Sequence, residues 1–202
     1  MSELVYPDDQ LVASRRTILG GFKRITLSAG AIGLLAACQS SRGSIASEPA
    51  GDPSQDIGIL NIALGLEHQA IAAYQVGAES GLLEPGVLDV AVLFQGHHKG
   101  HRDALAGAVT QMGGTPVEPK SMETYAEALN AAAIGSQADI LMLARRLEME
   151  AANAYLGAIP VFSNGDLAKI SGRLAADETM HWTVLAQATG QPLPMTPLSF
   201  GA

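Results

Sequence analysis

Four stretches of the chain repeat apolar residues at alternating steps of three and four, the period of a helix with one buried stripe. The first runs from about Asp56 to Ala78 and places Ile57, Leu60, Leu64, Glu67, Ile71 and Tyr74 on the stripe. The second runs from about Val87 to Met112, where Gly113-Gly114 ends it. Its stripe is Val87, Ala91, Phe94, His98, His101, Leu105, Ala108 and Met112. The third, Gln137 to Ala158 ahead of Pro160, carries Leu141, Ala144, Glu148, Ala151, Tyr155 and Ala158. The fourth starts at an N-cap, Asn164 or Asp166, and runs to Ala188 before Gly190 with Leu167, Ser171, Leu174, Glu178, His181, Leu185 and Ala188 inward. No stretch alternates with the period of two that a strand needs. The pattern predicts an all-α fold, an antiparallel four-helix bundle. Gly113 to Ser136 is long for a hairpin and predicts a short helix over Met122–Ala132, so it suits a long crossover between helices two and three.

Each stripe is interrupted at mid-length: by Glu67 in the first, His98 and His101 in the second, Glu148 in the third, Glu178 and His181 in the fourth. A buried carboxylate without a partner is strongly unfavourable, and this arrangement would bury three near one level. One or two metal ions supply the opposite charge in place, because carboxylate oxygens and imidazole nitrogens are ligands of transition ions. The halves repeat the feature. Glu67 and Tyr74 recur 81 residues later as Glu148 and Tyr155, and His98-x-x-His101 recurs 80 residues later as Glu178-x-x-His181. A two-helix unit has been duplicated together with its polar interruption.

Residues 56–190 resemble the ferritin-like family, in particular its exported single-domain bacterial members. The resemblance implies a ferritin-like bundle in which helices one and three each give a Glu to a two-metal site. Helices two and four each give a Glu-x-x-His pair. On that pattern Glu67 and Glu148 match the terminal ligands, Glu178 and His181 one complete pair, and His101 the second histidine. His98 departs from it, standing where the family has a bridging glutamate. An imidazole nitrogen serves one ion where a carboxylate serves two. A single ion, a nitrogen-richer zinc or copper site and an asymmetric pair all stay open. The resemblance implies iron or another transition metal as cofactor, mono- or dinuclear, with oxygen, peroxide or iron redox chemistry.

The first forty residues read differently. An apolar run of 13 residues, Ile25 to Ala37, is shorter than a bilayer crossing and has the length of an export-signal core. Ahead of it, Ser14-Arg15-Arg16-Thr17-Ile18-Leu19 resembles the twin-arginine signal. After it, Leu35-Ala36-Ala37-Cys38 resembles the lipobox of bacterial lipoproteins. These resemblances imply removal of residues 1–37, acylation of Cys38 and a periplasmic domain held to a bacterial membrane by lipid. An ordinary secretory signal and an uncleaved anchor are the other readings. Residues 38–55, rich in Ser, Pro and Gly, then form a flexible tether, and residues 191–202 a Pro-rich tail. The 202 residues hold 20 acids against 12 bases, a balance that excludes the usual nucleic-acid partner. Residues 1–37 carry three acids and four bases, so the remainder, at 17 acids and 8 bases, is more acidic still. The sole cysteine excludes a disulfide framework or a thiolate metal cluster within one chain.

Neighbouring residues sort by position. His97 lies beside the second stripe and belongs at the rim of the cluster or just behind its ligands, not among them, whereas His68 turns away and is structural. Tyr74 and Tyr155, two turns from the glutamates of their own helices, read as core aromatics, with a redox role as the lesser option. Glu150 and Asp177 are expected to meet solvent. Arg145, one turn from Glu148, offers a way to neutralise it without metal. Two functions therefore stand. One is an exported, lipid-anchored ferritin-like protein binding one or two transition metal ions in its core. The other is a metal-free bundle acting as a structural or partner-binding envelope protein.

Overall fold

The structure, a computed structural model, describes residues 53–201. The expected export signal with Arg15 and Arg16, the expected acylation site Cys38 and the expected tether up to residue 52 lie outside the described residues. Among the described residues every regular element is helical: α1 (Pro53–Glu79), α2 (Pro85–Gln111), α3 (Met122–Ala128), α4 (Gln137–Ala158) and α5 (Gly165–Ala188). Short 3-10 turns stand at Ala131–Ala133 and Ile159–Val161. None of these helices is long and apolar enough to cross a membrane.

The ends of the helices follow local chemistry. α1 begins three residues ahead of Asp56, inside the expected tether, because Pro53 can occupy a first turn where no N–H is needed. Pro85 does the same for α2, two residues ahead of Val87. The short helix α3 stops at Ala128 and not at Ala132, since Asn130 takes a left-handed backbone (φ 53°) that breaks it. Ser136 caps α4 by accepting from the Asp139 N–H at 3.2 Å, and Asn164 caps α5 by accepting from the Asp166 N–H at 2.9 Å. Past α2, Gly113 adopts φ 80°, and Gly114 is needed because a Cβ there would lie 2.7 Å from Ile57 Cγ2. Asp56 is buried near the start of α1 and accepts from the Ser163 N–H at 3.0 Å and its hydroxyl at 2.7 Å. That contact ties α1 to the turn before α5.

α1 packs against α2, α3 and α4, and α4 packs against α5. Two apolar clusters hold the long helices together. Leu60, Leu64, Leu105, Val109, Tyr155, Leu167 and Leu174 belong to one; Tyr74, Phe94, Ala144 and Leu185 form the other. On every long helix the ionisable stripe residues fall between members of these two clusters in sequence. A fully buried leucine such as Leu64 or Leu105 stabilises the fold by about 1.5–3 kcal/mol, so apolar burial on both sides fixes the polar level between.

Candidate metal centre

The i, i+3 spacing of His98 with His101 and of Glu178 with His181 puts each pair on one helix face. The structure brings these four together with Glu67 and Glu148, and all six are buried. His98 takes a central position. Its Nδ1 hydrogen-bonds Glu67 Oε2 at 2.8 Å and its Nε2 lies 3.3 Å from Glu148 Oε1. Glu178 Oε1 is 3.7 Å from the same Nδ1. His101 Nδ1 sits 3.1 Å from Glu178 Oε1 and 3.5 Å from Glu67 Oε1. His181 Nδ1 is 3.3 Å from both Glu148 Oε2 and Glu178 Oε2. The donor atoms fall into two overlapping sets, each within a 4.8 Å span. Glu67, His98, His101 and Glu178 make one, and His98, Glu148, Glu178 and His181 the other.

Burial alone would disfavour charge on every member, and contacts within the cluster decide the outcome. For His98 burial is outweighed by hydrogen bonds to Glu148 and Glu67 and by nearby carboxylate charge, so its pKa is pushed up to about 11. Burial likewise opposes His101, but Glu178 and Glu67 raise it to about 10. His181 also rises against burial, through Glu148 and Glu178. Burial resists ionisation of Glu67, yet His101 and His98 hold it below the ordinary carboxylate value. Glu148 is held well below that value against burial by His181 and His98. Glu178 goes the other way: burial and the neighbouring Glu148 raise it despite His101 and His181. In the absence of an ion, imidazole protons balance the carboxylates.

Several contacts escape the spacing argument. The Tyr74 hydroxyl donates to Glu148 Oε1, and the Tyr155 hydroxyl donates to Glu67 Oε1. These residues are therefore more than core aromatics: each serves the glutamate of the other half. Burial and the adjacent carboxylates push both hydroxyl pKa values up, so the hydroxyls stay protonated donors. The repeated Glu-to-Tyr interval of seven was the available signal. Of the two places expected for His97 the structure shows the one behind a ligand, its Nδ1 2.8 Å from His181 Nε2, and burial and the His181 charge lower its pKa. Asp177 does not simply meet solvent. Half of its side chain is covered, and Oδ2 accepts from His101 Nε2 at 3.2 Å. Phe94 stacks on His181 with ring centroids 4.1 Å apart. Arg145 is not among the partners of Glu148. Its Nε has no hydrogen-bond partner, and the side chain lines an outer groove with Met142, Met149 and Trp182. His68 Nε2 meets the Val117 carbonyl at 3.1 Å and pins the segment after α2, and Glu150 pairs with Arg146 at 3.1 Å on the surface.

Three atoms test whether the cluster suits an ion. His101 Nδ1 and both Glu178 oxygens are buried and make no hydrogen bond, although other donors stand 3.1–3.7 Å away. Nitrogen and oxygen atoms that approach one another without a well-formed hydrogen bond leave a place for a positive centre, a proton on the imidazole or a metal ion in its stead. Carboxylate oxygens with imidazole nitrogens, and no thiolate, suit iron, manganese or zinc. The buried Glu/His cluster is compatible with metal binding.

A family model described as ferritin-like domain matches residues 55–191. Among solved structures the chain is similar to a conserved hypothetical protein from Mycobacterium tuberculosis. The two are 23% identical over 71% of this chain and 95% of that one, with a TM-score of 0.57. At that identity the likeness concerns the fold alone. No curated protein matches the chain.

Proposed function

This chain belongs to the ferritin-like domain family, and on that premise we propose that it is an exported, lipid-anchored protein binding one or two transition metal ions in its core. The ligands are Glu67, His98, His101, Glu148, Glu178 and His181, used as two overlapping sets that share His98 and Glu178. The single observation that carries this reading is Glu178, fully buried, with neither carboxylate oxygen in a well-formed hydrogen bond and imidazole nitrogens 3.1–3.7 Å away. Iron is the ion the fold commonly binds. The order of the apolar clusters supports an antiparallel four-helix bundle. α1 and α5 run from the Leu60 and Leu167 side toward Tyr74 and Leu185, while α2 and α4 run back. The connection from Met112 to Ser136 is then the long crossover.

When bound, iron supplies one-electron chemistry toward oxygen or peroxide. The chain's own residues bind and orient. Asp177 accepts from His101 Nε2, which keeps the proton there and leaves the Nδ1 lone pair toward Glu178 and Glu67. His97 occupies the same outer place behind His181, whose Nδ1 faces Glu148 and Glu178. Tyr74 and Tyr155 fix the carboxylate rotamers of Glu148 and Glu67. Neutral His98 has one lone pair to give, so the two sets are unequal.

The motifs around Arg15, Arg16 and Cys38 support export to the periplasmic side of a bacterial membrane and acylation there. Cys38→Ser releases the protein from the membrane fraction if that holds. The metal is tested by elemental analysis of the mature protein purified from its native compartment. One or two equivalents per chain are expected, with His181→Ala losing them. Wild-type protein without stoichiometric metal points instead to the metal-free envelope bundle, which the direct His98–Glu67 hydrogen bond at 2.8 Å favours.

A further inference from the structure

The duplication that repeats the polar level also repeats a void on either side of it. One cavity, of about 120 Å³, is bounded by Tyr74, Val87, Val90, Phe94 and Leu185; another, of about 60 Å³, by Tyr155, Leu167, Ile170, Leu174 and Leu105. At the repeat offset of 80 or 81 these walls correspond one to one: Tyr74 with Tyr155, Val87 with Leu167, Val90 with Ile170, Phe94 with Leu174 and Leu185 with Leu105. The two valines account for part of the extra room, since their counterparts each carry one more methylene. The halves have thus diverged in how fully they fill an equivalent space.

We propose that the larger cavity is a binding site for small uncharged apolar molecules, of benzene size or below, dissolved gases included. Its wall is apolar except for Tyr74, whose hydroxyl is already committed to Glu148. A water molecule needs two to four polar partners to be held, and this wall offers none that is free. The space is partly open to solvent beside the exposed Gly86 and Val184, which gives a small molecule a way in, and enclosed apolar cavities of about 150 Å³ take up benzene or xenon. A charged or hydrogen-bonding ligand is excluded on the same ground. The position gives the site its interest: Tyr74 and Phe94 form part of its wall and also touch the cluster, the first through Glu148 and the second by stacking on His181 at 4.1 Å. An occupant lies one side chain from the carboxylates, and the inference does not depend on a bound ion.

Two probes test it on the full protein. Benzene near its solubility limit should raise Tm by about 2–4 °C. Xenon under pressure should give density between Phe94, Leu141 and Leu185. Val87→Leu with Val90→Ile copies the residues of the smaller cavity, and it should reduce the benzene shift by at least half. No shift with benzene together with no xenon in this cavity overturns the proposal, as does a shift undiminished in the double variant. If that variant does not fold, the xenon position decides: density here supports the site, and density confined to the cavity beside Leu167 and Leu174, or none, removes it.

Discussion

The Tyr74 hydroxyl donates to Glu148, a carboxylate on the other half of the duplicated unit, and Tyr155 returns the bond to Glu67. Neither tyrosine serves the glutamate of its own helix, which lies seven residues and about 10.5 Å away along the axis. The exchange couples the halves at the level where charge is buried.

Phenylalanine at either position removes a hydrogen bond to a charged, buried acceptor. Tyr74→Phe and Tyr155→Phe should each lower stability by about 1.5–3 kcal/mol, read from urea denaturation. Metal content should survive, because neither hydroxyl is counted among the donors. A loss below about 0.5 kcal/mol in both variants would mean that these bonds contribute nothing.

The inward stripes were legible because a helix with one buried face writes its period into the sequence, and the six ionisable residues occupy stripe positions. The cross-half pairing was not. Glu67 and Tyr74 share a stripe, and nothing in the spacing says that Tyr74 stands beside Glu148 until α1 and α4 are packed together. His97 and Asp177 are one position off stripe residues, so their roughly 100° rotation read as the rim or a place behind the ligands for the first and as solvent for the second. In the structure His97 stands behind His181, and Asp177, half covered, meets His101 instead of solvent alone. Arg145 misled for the opposite reason. One turn from Glu148 permits contact, but its long side chain lies in the groove lined by Met142 and Trp182.

Asp177 separates orientation from folding. Its side chain is 48% exposed, so Asp177→Ala should change stability by no more than about 0.5 kcal/mol. Losing the acceptor behind His101 should weaken metal affinity about 10–100-fold while leaving the saturating stoichiometry intact. Competition against a chelator of known affinity measures this. Unchanged affinity would remove His101 from the ligand set or Asp177 from its support.

Metal-free protein should be most stable in mildly acid solution. His98 and His101 hold protons in the fold up to about pH 11 and 10, against an ordinary value of 6.5. Their contribution is complete below 6.5 and is lost as pH rises through those folded values. Glu67 and Glu148, held below 4.5, contribute fully above that pH and lose their effect as it falls. Urea midpoints of chelated protein should therefore decline from about pH 6.5 toward 10. Ion binding needs the same nitrogens free, so loading should release protons and tighten with rising pH. A flat midpoint between about pH 6.5 and 10 contradicts the charge pattern of the cluster.

His98→Glu should change sign with the metal. His98 belongs to both donor sets and, protonated without an ion, contacts Glu67 at 2.8 Å and Glu148 at 3.3 Å. A glutamate there leaves four buried carboxylates with His101 and His181 as their only imidazole partners from the set. Breaking a buried charge network in this way destabilises by about 3–5 kcal/mol, so the chelated variant should unfold well below the wild type. With metal the same carboxylate gives an oxygen to each set, and two equivalents should be retained with stability at or above that of loaded wild type. His98→Ala loses the neutralising proton without gaining a ligand, so its loaded form should be weaker than that of His98→Glu. Elemental analysis with thermal unfolding in both states reads the contrast. Equal destabilisation with and without metal would place position 98 outside the ligand set.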